Sequence, residues 1–442
     1  MSRKQTNNAV INDPVISNIY WQTVGHFLRP FDDWLGKVED KREQGKIKYS
    51  KQYMIWIGLM LFLCKLSTRR QMKYAFNTSA FIENINNLSG AAVDTVADHG
   101  TVNYFYSKNS SKSLIWLKNK INQQMLRNKS LENYRLLGYY LVAMDGSGHL
   151  CFGEKPNCDG CLSKTYENGV TIYYHNVVEA KLVTEFGLAL SLCTEFVNNE
   201  GKSSDVQDCE LAAAYRLMDT LKATHPQLKI CLLMDSLYAN QNILAKAEKY
   251  GWKVIINFKE GSIPTVAEEA RSLIKLVPEN EKIIANEKFI QEFHWVNDID
   301  HKGFKVNHIK CIEKNGSSIK TFEWLTTFRV DNNNVDILAN KGGRQRWKIE
   351  NQGFNMQKNG GYNLEHPYST HPRAIENFYH LMQIAHIINQ LVEYGSLLKN
   401  IKKTLGSIRN IARRLLEELK FFKLPKLQFK YDYSYYIKLN SS

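Results

Sequence analysis

The spacing of apolar positions divides the chain into a helical first part and a strand-rich middle. Within residues 1–135, the apolar stretch at 53–64 has the length of a buried helix, and 110–127 has the periodicity of an amphipathic one. Residues 139–145 and 229–235 are instead short, almost wholly apolar runs that each end in an aspartate. Such runs are typical of central strands that are buried on both faces of a sheet.

The middle of the chain alternates strand and helix patterns. Residues 170–183 and 187–197 predict two further strands joined as a hairpin. A helix, the run at 229–235, a second helix and a fifth strand follow. The predicted helices cover 205–224 and 239–250, and the fifth strand covers 252–258. This order predicts an α/β fold with helices flanking the sheet, and open sheets of this kind place their sites at the carboxyl ends of strands.

A second β-rich stretch lies between residues 281 and 332 and precedes a long helix. Its three predicted strands have polar interruptions and turn signals, which favours an antiparallel insertion; they cover 289–295, 304–312 and 322–330. A helix is predicted for 334–358, Gly360 and Gly361 end it, and 373–398 forms another amphipathic helix.

Charge is distributed unevenly along the chain, which carries +14 in total. Residues 1–135 contain 20 Lys and Arg against 10 Asp and Glu, a net charge of +10. Residues 399–430 contain 10 against 2, and 136–398 contain 27 against 31. Basic ends around an acidic centre suit a polyanion such as DNA, although basic residues also serve solubility alone.

Composition narrows the class of protein further. No apolar run reaches the length that spans a bilayer, and the N-terminus lacks an apolar signal region. The eight cysteines are scattered, which suits a reducing compartment better than a disulfide framework. We therefore expect a soluble intracellular protein without a membrane partner.

Three carboxylates are the candidate catalytic residues. Asp145 and Asp235 end predicted strands, and Glu350 lies on the predicted helix 334–358. Carboxylates are the ligands that Mg²⁺ and Mn²⁺ prefer, and three of them can hold two ions about 4 Å apart for a phosphoryl transfer. The alternative for each aspartate is an ordinary cap or turn acid.

Around Glu350, helical spacing predicts one face that combines packing and charge. Trp347, Glu350 and Phe354 lie three and four residues apart. Arg346 precedes Glu350 by four residues, and Lys358 follows Glu350 by eight, which is about two turns. Such a face offers a carboxylate for a metal and cations for phosphates. The simpler interpretation is a surface helix with ion pairs between successive turns.

Over residues 136–390 the chain resembles a DDE transposase of the bacterial insertion-sequence type. The resemblance rests on Met144-Asp145-Gly-Ser, on Leu233-Met-Asp235-Ser-Leu-Tyr-Ala-Asn240, and on Arg346-Trp-Lys-Ile-Glu350-Asn-Gln-Gly-Phe354. The last resembles the family signature Tyr-x2-Arg-x3-Glu-x6-Lys, with Arg346 and Glu350 at the matching positions. Gly343 stands where the Tyr is expected. Gln357 stands where the Lys is expected, and Lys358 follows it.

This resemblance implies an RNase H-like mixed sheet flanked by helices, with an antiparallel β insertion domain and a helical N-terminal DNA-binding region. It implies cleavage at mobile-element ends and joining to target DNA, with Asp145, Asp235 and Glu350 holding two Mg²⁺ or Mn²⁺ ions. DNA contacts are then expected at Arg344, Arg346, Lys348, Lys358 and Trp324. Trp324 could stack on a flipped base, although a core strand position is the simpler interpretation. The partners implied are terminal repeats, target DNA and a second copy of the chain. The location implied is the bacterial cytoplasm, with association to the nucleoid when the protein is bound to DNA.

The sequence thus predicts four regions. They are a helical DNA-binding region at 1–135, a catalytic core at 136–280 and 333–398, a β insertion domain at 281–332, and a basic tail at 399–442. A helix-turn-helix around residues 94–106 would place Thr101 and Asn103 toward DNA, although short helices joined at a glycine are often only structural.

Other interpretations remain open. Cys158 and Cys161 form a C-x2-C pair that His149, His175 or Cys209 could complete as a structural zinc site, and a plain loop is the alternative. For the whole chain, the alternatives are an RNase H-like nuclease without joining activity and a non-catalytic DNA-binding protein derived from a transposase.

Overall fold

A computed structural model describes residues 13–156, 160–199, 208–424 and 437–439. Among these residues, no helix is both long and apolar enough to cross a membrane. The α-helices are α1 Val15–Phe27, α2 Phe31–Lys37, α3 Lys51–Leu63, α4 Met72–Ala75, α5 Ser79–Ser89, α6 His99–Lys108, α7 Lys112–Arg127, α8 Glu210–Thr224, α9 Gln241–Tyr250, α10 Pro264–Leu276, α11 Met356–Asn359, α12 Pro372–Glu393, α13 Lys399–Leu405 and α14 Ile408–Phe421.

Ten strands form one mixed sheet. They are β1 Tyr140–Phe152, β2 Leu162–Thr165, β3 Thr171–Val183, β4 Ala189–Val197, β5 Ile230–Met234, β6 Lys253–Asn257, β7 Glu281–Ala285, β8 Ile290–His301, β9 Phe304–Asn315 and β10 Ser318–Thr326. Short 3₁₀ turns cover Gln44–Lys46, Arg69–Gln71, Glu132–Tyr134, Ser236–Tyr238, Glu260–Ser262 and Gly343–Arg346, and π-helical turns cover Ile337–Gly342 and Ile349–Asn355.

The sheet has the order β2-β3-β1-β5-β6-β10-β9-β8-β7, with β4 also pairing β3. Strands β1, β5 and β6 run parallel to one another, whereas β3 is antiparallel to both β1 and β4. Every residue of β5 is buried, as its apolar run predicted. The α/β class and the helix-flanked mixed sheet are therefore confirmed.

The predicted β insertion is antiparallel but belongs to this same sheet. Strand β10 pairs with β6 in the register Leu325↔Ile256, and β9, β8 and β7 follow outward by antiparallel pairing. The sequence analysis missed β2 and β7. Both are short, and β7 alternates between exposed and half-buried residues instead of forming an apolar run.

The chain divides into two compact units, and the division differs from the one that the sequence predicted. The helical unit contains residues 1–124, 360–362 and 373–440, and the sheet unit contains 125–359 and 363–372. Helix α12 therefore belongs to the helical unit and not to the sheet unit, which contains most of the region predicted as the catalytic core. Its Asn377 donates to the carbonyl oxygens of Tyr106 and Asn109, and its Asn389 accepts a hydrogen bond from Tyr20 at 2.6 Å.

No separate tail begins at residue 399, because α14 packs against α1 and α5 in the helical unit. Buried Asn84 of α5 donates to the carbonyl oxygens of Leu419 and Phe422. The proposed helix-turn-helix is also corrected: residues 91–98 form a loop, and α6 begins at His99 with Asp98 as its N-cap. Gly100 consequently lies inside the helix and not in a turn between two helices.

Glu418 of α14 caps the first turn of α1, and we expect Glu418→Ala to destabilise the helical unit. Its carboxylate is 0% exposed and accepts from the amide nitrogens of Ile16 and Ser17 at 3.1 and 2.7 Å, and from the Ser17 hydroxyl. Truncation leaves the two buried amide groups of Ile16 and Ser17 without their acceptor, at a cost of about 2 kcal/mol or more. Denaturant unfolding measures the loss.

The matched control for this change is Glu417→Ala on the same helix. Glu417 is 42% exposed and makes only a 3.8 Å ion pair with Arg413, so its loss should change stability by less than about 0.5 kcal/mol. Equal effects of the two substitutions would contradict the capping role of Glu418.

Candidate active site

Asp145 and Asp235 lie side by side where the parallel pairing of β1 and β5 ends. The last pair in register is Ala143↔Leu233, and each aspartate follows it by two residues. Strand β1 itself continues to Phe152, because beyond Asp145 it still pairs with β3. The sequence predicted that Asp145 ends its strand, and this is wrong. Asp145 lies within β1, just past the point where β5 stops pairing with β1.

The long helix predicted for 334–358 is a continuous helical segment, Val335 to Asn359, with irregular turns. Two π-helical turns flank a 3₁₀ turn at Gly343–Arg346. Close packing accompanies the irregularity: a Cβ at Gly342 would lie 2.7 Å from Ile255, and one at Gly343 would lie 2.3 Å from the Trp324 indole nitrogen. The backbone of this segment thus approaches the sheet where no side chain would fit.

These turns change which residues share a face. Phe354 is 4% exposed, whereas Trp347 is 49% exposed, so the predicted packing face of Trp347, Glu350 and Phe354 is wrong. A π turn holds more residues than an α turn, which rotates the positions after it relative to a regular helix. Trp347 instead contacts the guanidinium of Arg346, whose Cζ lies 4.9 Å from the ring centroid.

Arg346 joins two of the predicted acids. Its Nη1 donates to Asp145 Oδ2 at 3.2 Å, and its Nη2 lies 3.8 Å from Glu350 Oε2. The Arg346 side chain is 9% exposed, that of Asp145 19%, and that of Glu350 51%. One buried guanidinium therefore bridges an acid of the sheet and an acid of the helical segment.

Negative charge accumulates around Asp145. Burial raises the pKa of Asp145 to about 6; Arg346 opposes this rise, and the nearby Asp235 and Glu210 add to it. Asp235 accepts a hydrogen bond from the Leu237 amide and thereby caps a 3₁₀ turn. Four carboxylates thus lie in this part of the sheet unit, and Arg346 is the cation that contacts two of them.

Glu210 is the member of this centre that the sequence analysis missed. It is the first residue of α8 and accepts a 2.7 Å hydrogen bond from the Tyr238 hydroxyl. Burial is the main reason that the pKa of the Tyr238 hydroxyl is raised, and the charge of Glu210 raises it further. An acid in the first turn of a helix is common because it complements the helix dipole, so no pattern in the sequence marked Glu210.

The residues present fit a divalent cation. Oxygen ligands from Asp145, Asp235, Glu210 and Glu350 are the donors that Mg²⁺ and Mn²⁺ prefer, and one guanidinium does not balance four carboxylates. Within the described residues, these acids do not form a group of three whose ligand atoms all lie within 4.8 Å of one another. Every set of three among these four acids fails this test, so a bound ion would require at least one of the carboxylates to move; Glu350 is the half-exposed member.

A different group does meet that distance among the described residues: Glu281, Glu292 and His294 on β7 and β8. Lys314 Nζ lies 3.6 Å from a Glu292 carboxylate oxygen. This ammonium group opposes a bound cation, so this group is the poorer metal site.

The predicted DNA-contacting residues have different surroundings. Arg344 pairs with Glu313 at 2.7 Å, and Lys358 pairs with Glu365 at 2.9 Å. Lys348 is half-buried and makes no ion pair within the described part of the chain. Gln357, where the family's Lys is expected, is fully buried, which suits a neutral side chain.

Trp324 is a core residue in this structure. It is 2% exposed, its ring stacks on Phe322, and Gly343 packs against its indole. This corrects the expectation that Trp324 stacks on a DNA base, because its ring faces are already covered. The simpler interpretation, a core strand tryptophan, accounts for its position.

The candidate zinc pair is only partly described, since Cys158 lies outside the described residues. Cys161 is half-buried, and His149 and His175 are buried on β1 and β3. Burial, aided by His175, lowers the pKa of His149 to about 3, so this imidazole is neutral. No group of three close ligand atoms within the described ranges includes Cys161, Cys209 or either histidine.

Comparisons with known proteins do not assign this site. No protein-family model and no curated protein sequence matches the chain.

Proposed function

We propose that the protein is a DDE transposase that cuts DNA at mobile-element ends and joins them to target DNA. The observation that carries this proposal is the constellation of Asp145, Asp235, Arg346 and Glu350 at the end of the parallel strands. The strand order β4-β3-β1-β5-β6 supports an RNase H-like core. In this order β4, β3 and β1 are antiparallel neighbours, whereas β5 and β6 run parallel to β1. π-helical turns, which are frequent at functional sites, occur in the segment that carries Glu350.

The distribution of charge over the two units supports DNA as the substrate. The helical unit carries 29 Lys and Arg against 14 Asp and Glu, a net charge of +15, whereas the sheet unit carries 29 against 30. Most of the basic N-terminal end, up to residue 124, and the whole basic stretch 399–430 thus belong to one unit. In α14, Arg413 is 72% exposed on the side opposite the buried Ile411 and Leu415. We assign phosphate binding mainly to this unit and the phosphoryl transfer to the sheet unit.

In the proposed reaction, Asp145, Asp235 and Glu350 would hold two divalent cations. When bound, these ions stabilise the charge on the attacking and leaving oxygens. Water displaces the 3′ oxygen of the element strand, and the freed 3′-hydroxyl then displaces a 3′ oxygen of the target strand in a second in-line transfer. Arg346 orients the phosphate and offsets its charge. Each joining step exchanges one phosphodiester bond for another, so no covalent protein intermediate is required.

Incubation of the purified full-length protein with the DNA that flanks its own gene tests this proposal. We expect Mg²⁺- or Mn²⁺-dependent cuts at the element ends, suppressed by EDTA, and joined products when a target plasmid is added. Cuts without joined products would indicate the nuclease alternative. Binding without cuts in either metal would indicate the non-catalytic DNA-binding protein, and both results would overturn the transposase assignment.

Arg346→Lys is expected to lower the rates of cleavage and joining by roughly tenfold or more, about 1.4 kcal/mol. The guanidinium contacts Asp145 through one terminal nitrogen and faces Glu350 through the other, whereas a lysine offers a single nitrogen. Single-turnover cleavage measures the effect, and DNA affinity should change little because the helical unit carries most of the positive charge.

The matched control is Arg329→Lys in the same unit. Arg329 is 77% exposed and pairs only with the exposed Asp298, so its replacement should leave the rates unchanged. Full activity in Arg346→Lys would show that a simple positive charge suffices at this position.

A further inference from the structure

Three side chains of the irregular helical segment reach the outer strands of the sheet. Asp336, Asn340 and Arg344 follow one another at intervals of four residues. Asp336 accepts a hydrogen bond from the Lys282 ammonium on β7 at 2.7 Å. Arg344 Nη2 donates to Glu313 Oε2 on β9, also at 2.7 Å. Asn340, between them, contacts β8, so the three side chains meet three successive strands.

The middle contact is a closed pair of amides. Asn340 Nδ2 donates to Gln291 Oε1 at 2.9 Å, and Gln291 Nε2 donates back to Asn340 Oδ1 at 3.2 Å. Gln291 is 2% exposed and also donates to Glu313 Oε2, the oxygen that accepts from Arg344. Together the contacts form a polar ladder between the segment and the strands, with the rungs Lys282–Asp336, Gln291–Asn340 and Glu313–Arg344.

The polar ladder ends two residues before Arg346, whose guanidinium donates to Asp145. The last rung residue, Arg344, also has its Cζ 4.1 Å from the centroid of the Phe322 ring. Arg344 and Arg346 belong to the same 3₁₀ turn. A displacement of this turn along the strands would therefore carry the Arg346 guanidinium away from the Asp145 carboxylate.

Polar contacts of this kind fix the position of the segment more strictly than apolar packing does. Two apolar side chains in place of Gln291 and Asn340 would remain in contact if they slid past each other, whereas the paired amides keep both hydrogen bonds in one geometry only. The segment also contains π and 3₁₀ turns, which in the middle of a helix mark strain or a hinge. The polar ladder supplies the constraint that such a segment needs.

We propose that the outer strands β7, β8 and β9 position the active site: through the polar ladder they fix where Arg346 and Glu350 lie relative to Asp145. The positioning residues on these strands are Lys282, Gln291 and Glu313. This inference rests on the proposed function, because the position of Arg346 matters to phosphoryl transfer only if that reaction takes place. It also gives Arg344 a role that needs no DNA phosphate.

Hydrogen–deuterium exchange of the full-length protein tests the polar ladder without DNA or metal. Gln291→Met keeps the length of the side chain and removes both hydrogen bonds to Asn340. Relative to the amides of β5, those of residues 343–350 should exchange about tenfold faster or more. The single-turnover cleavage rate at saturating DNA should fall by about tenfold or more, with DNA affinity unchanged, because a small misplacement of reacting groups slows the chemical step and not binding.

The matched control is Asn307→Leu on β9. Asn307 is also a buried amide, bonded to the Phe328 carbonyl oxygen and the Asp298 amide, and it makes no hydrogen bond to the segment within the described residues. Its replacement should lower the free energy of unfolding as Gln291→Met does, but leave relative exchange in the segment and the cleavage rate unchanged. Glu248→Gln, at an exposed acid on α9, is the surface control.

A charge exchange at the first rung tests the ladder where folding is not at risk, since Lys282 and Asp336 are each 25% exposed. Asp336→Lys places two ammonium groups together and should slow cleavage severalfold. Adding Lys282→Asp restores opposite charges and should recover most of the rate, because the two changes act on one contact. A double variant that regains stability but not the cleavage rate would contradict the positioning role.

The two measurements separate this inference from the proposed function. Unchanged exchange of residues 343–350 in Gln291→Met would overturn the polar ladder whatever the activity. Faster exchange with a normal cleavage rate, or equal losses of rate in Gln291→Met and Asn307→Leu, would overturn the positioning of the active site and leave the transposase assignment standing. If the unchanged protein cut no DNA, the proposed function would fail, and exchange would still decide whether the ladder holds the segment.

Discussion

Asp145→Asn is expected to abolish metal-dependent DNA cleavage, with a rate at least about a thousandfold lower, or ~4 kcal/mol. Asp145 is the acid that the other members of the centre surround. Arg346 donates a hydrogen bond to it, and the charges of Asp235 and Glu210 raise its pKa. Asparagine keeps the shape but removes the charge that a divalent cation requires. Single-turnover cleavage of end DNA in Mg²⁺ measures the loss.

DNA binding separates this loss from a folding defect. Because the helical unit carries +15, Asp145→Asn should bind end DNA with nearly unchanged affinity, and that affinity should fall steeply with salt. Asp235→Asn and Glu350→Gln should behave in the same way, and Glu248→Gln should cleave normally. Full cleavage by any of the three site variants would remove that residue from the metal site.

The sequence located Asp145 and Asp235 because short apolar runs mark buried parallel strands, and the residues just past their pairing meet at one edge of the sheet. It could not locate Glu210 in the same way. Its position depends on a contact with Tyr238 and on the missing side chain of Gly146, neither of which has a periodic signature. Contacts between residues distant along the chain become visible only in the folded protein.

The helical segment from Val335 to Asn359 shows a second limit of predicting the structure from the sequence. Helical spacing correctly places Arg346 and Glu350 one turn apart, since their side chains approach to 3.8 Å. It fails for Trp347 and Phe354 because π turns alter the phase beyond Ile349. Similarly, the basic residues of 399–430 suggested a tail, whereas the apolar face of α14 and Glu418 attach that helix to α1. Composition alone does not distinguish a basic tail from a packed helix with a basic outer face.

Gly343→Tyr, which introduces the tyrosine of the signature that this segment resembles, is expected to destabilise the protein by more than about 4 kcal/mol and to abolish cleavage. Trp324 already occupies the space beside position 343: a Cβ there would lie between 2.3 and 2.6 Å from three atoms of the indole. A tyrosine ring must displace the indole or move the turn that carries Arg346. Chemical denaturation and single-turnover cleavage measure the two effects.

Smaller substitutions at position 343 test whether packing against Trp324 is what excludes a side chain there. Gly343→Ala should already cost about 1–3 kcal/mol, whereas Gly261→Ala in the same unit, with open space around its Cβ, should be nearly neutral. Adding Trp324→Ala to Gly343→Tyr should recover part of the stability, because the two residues compete for one space. If Gly343→Tyr instead folded normally and cleaved faster, position 343 would have room for a side chain, and the packing argument would be wrong. The packing of Gly343 on Trp324 would then belong to another conformation of the segment that carries Glu350.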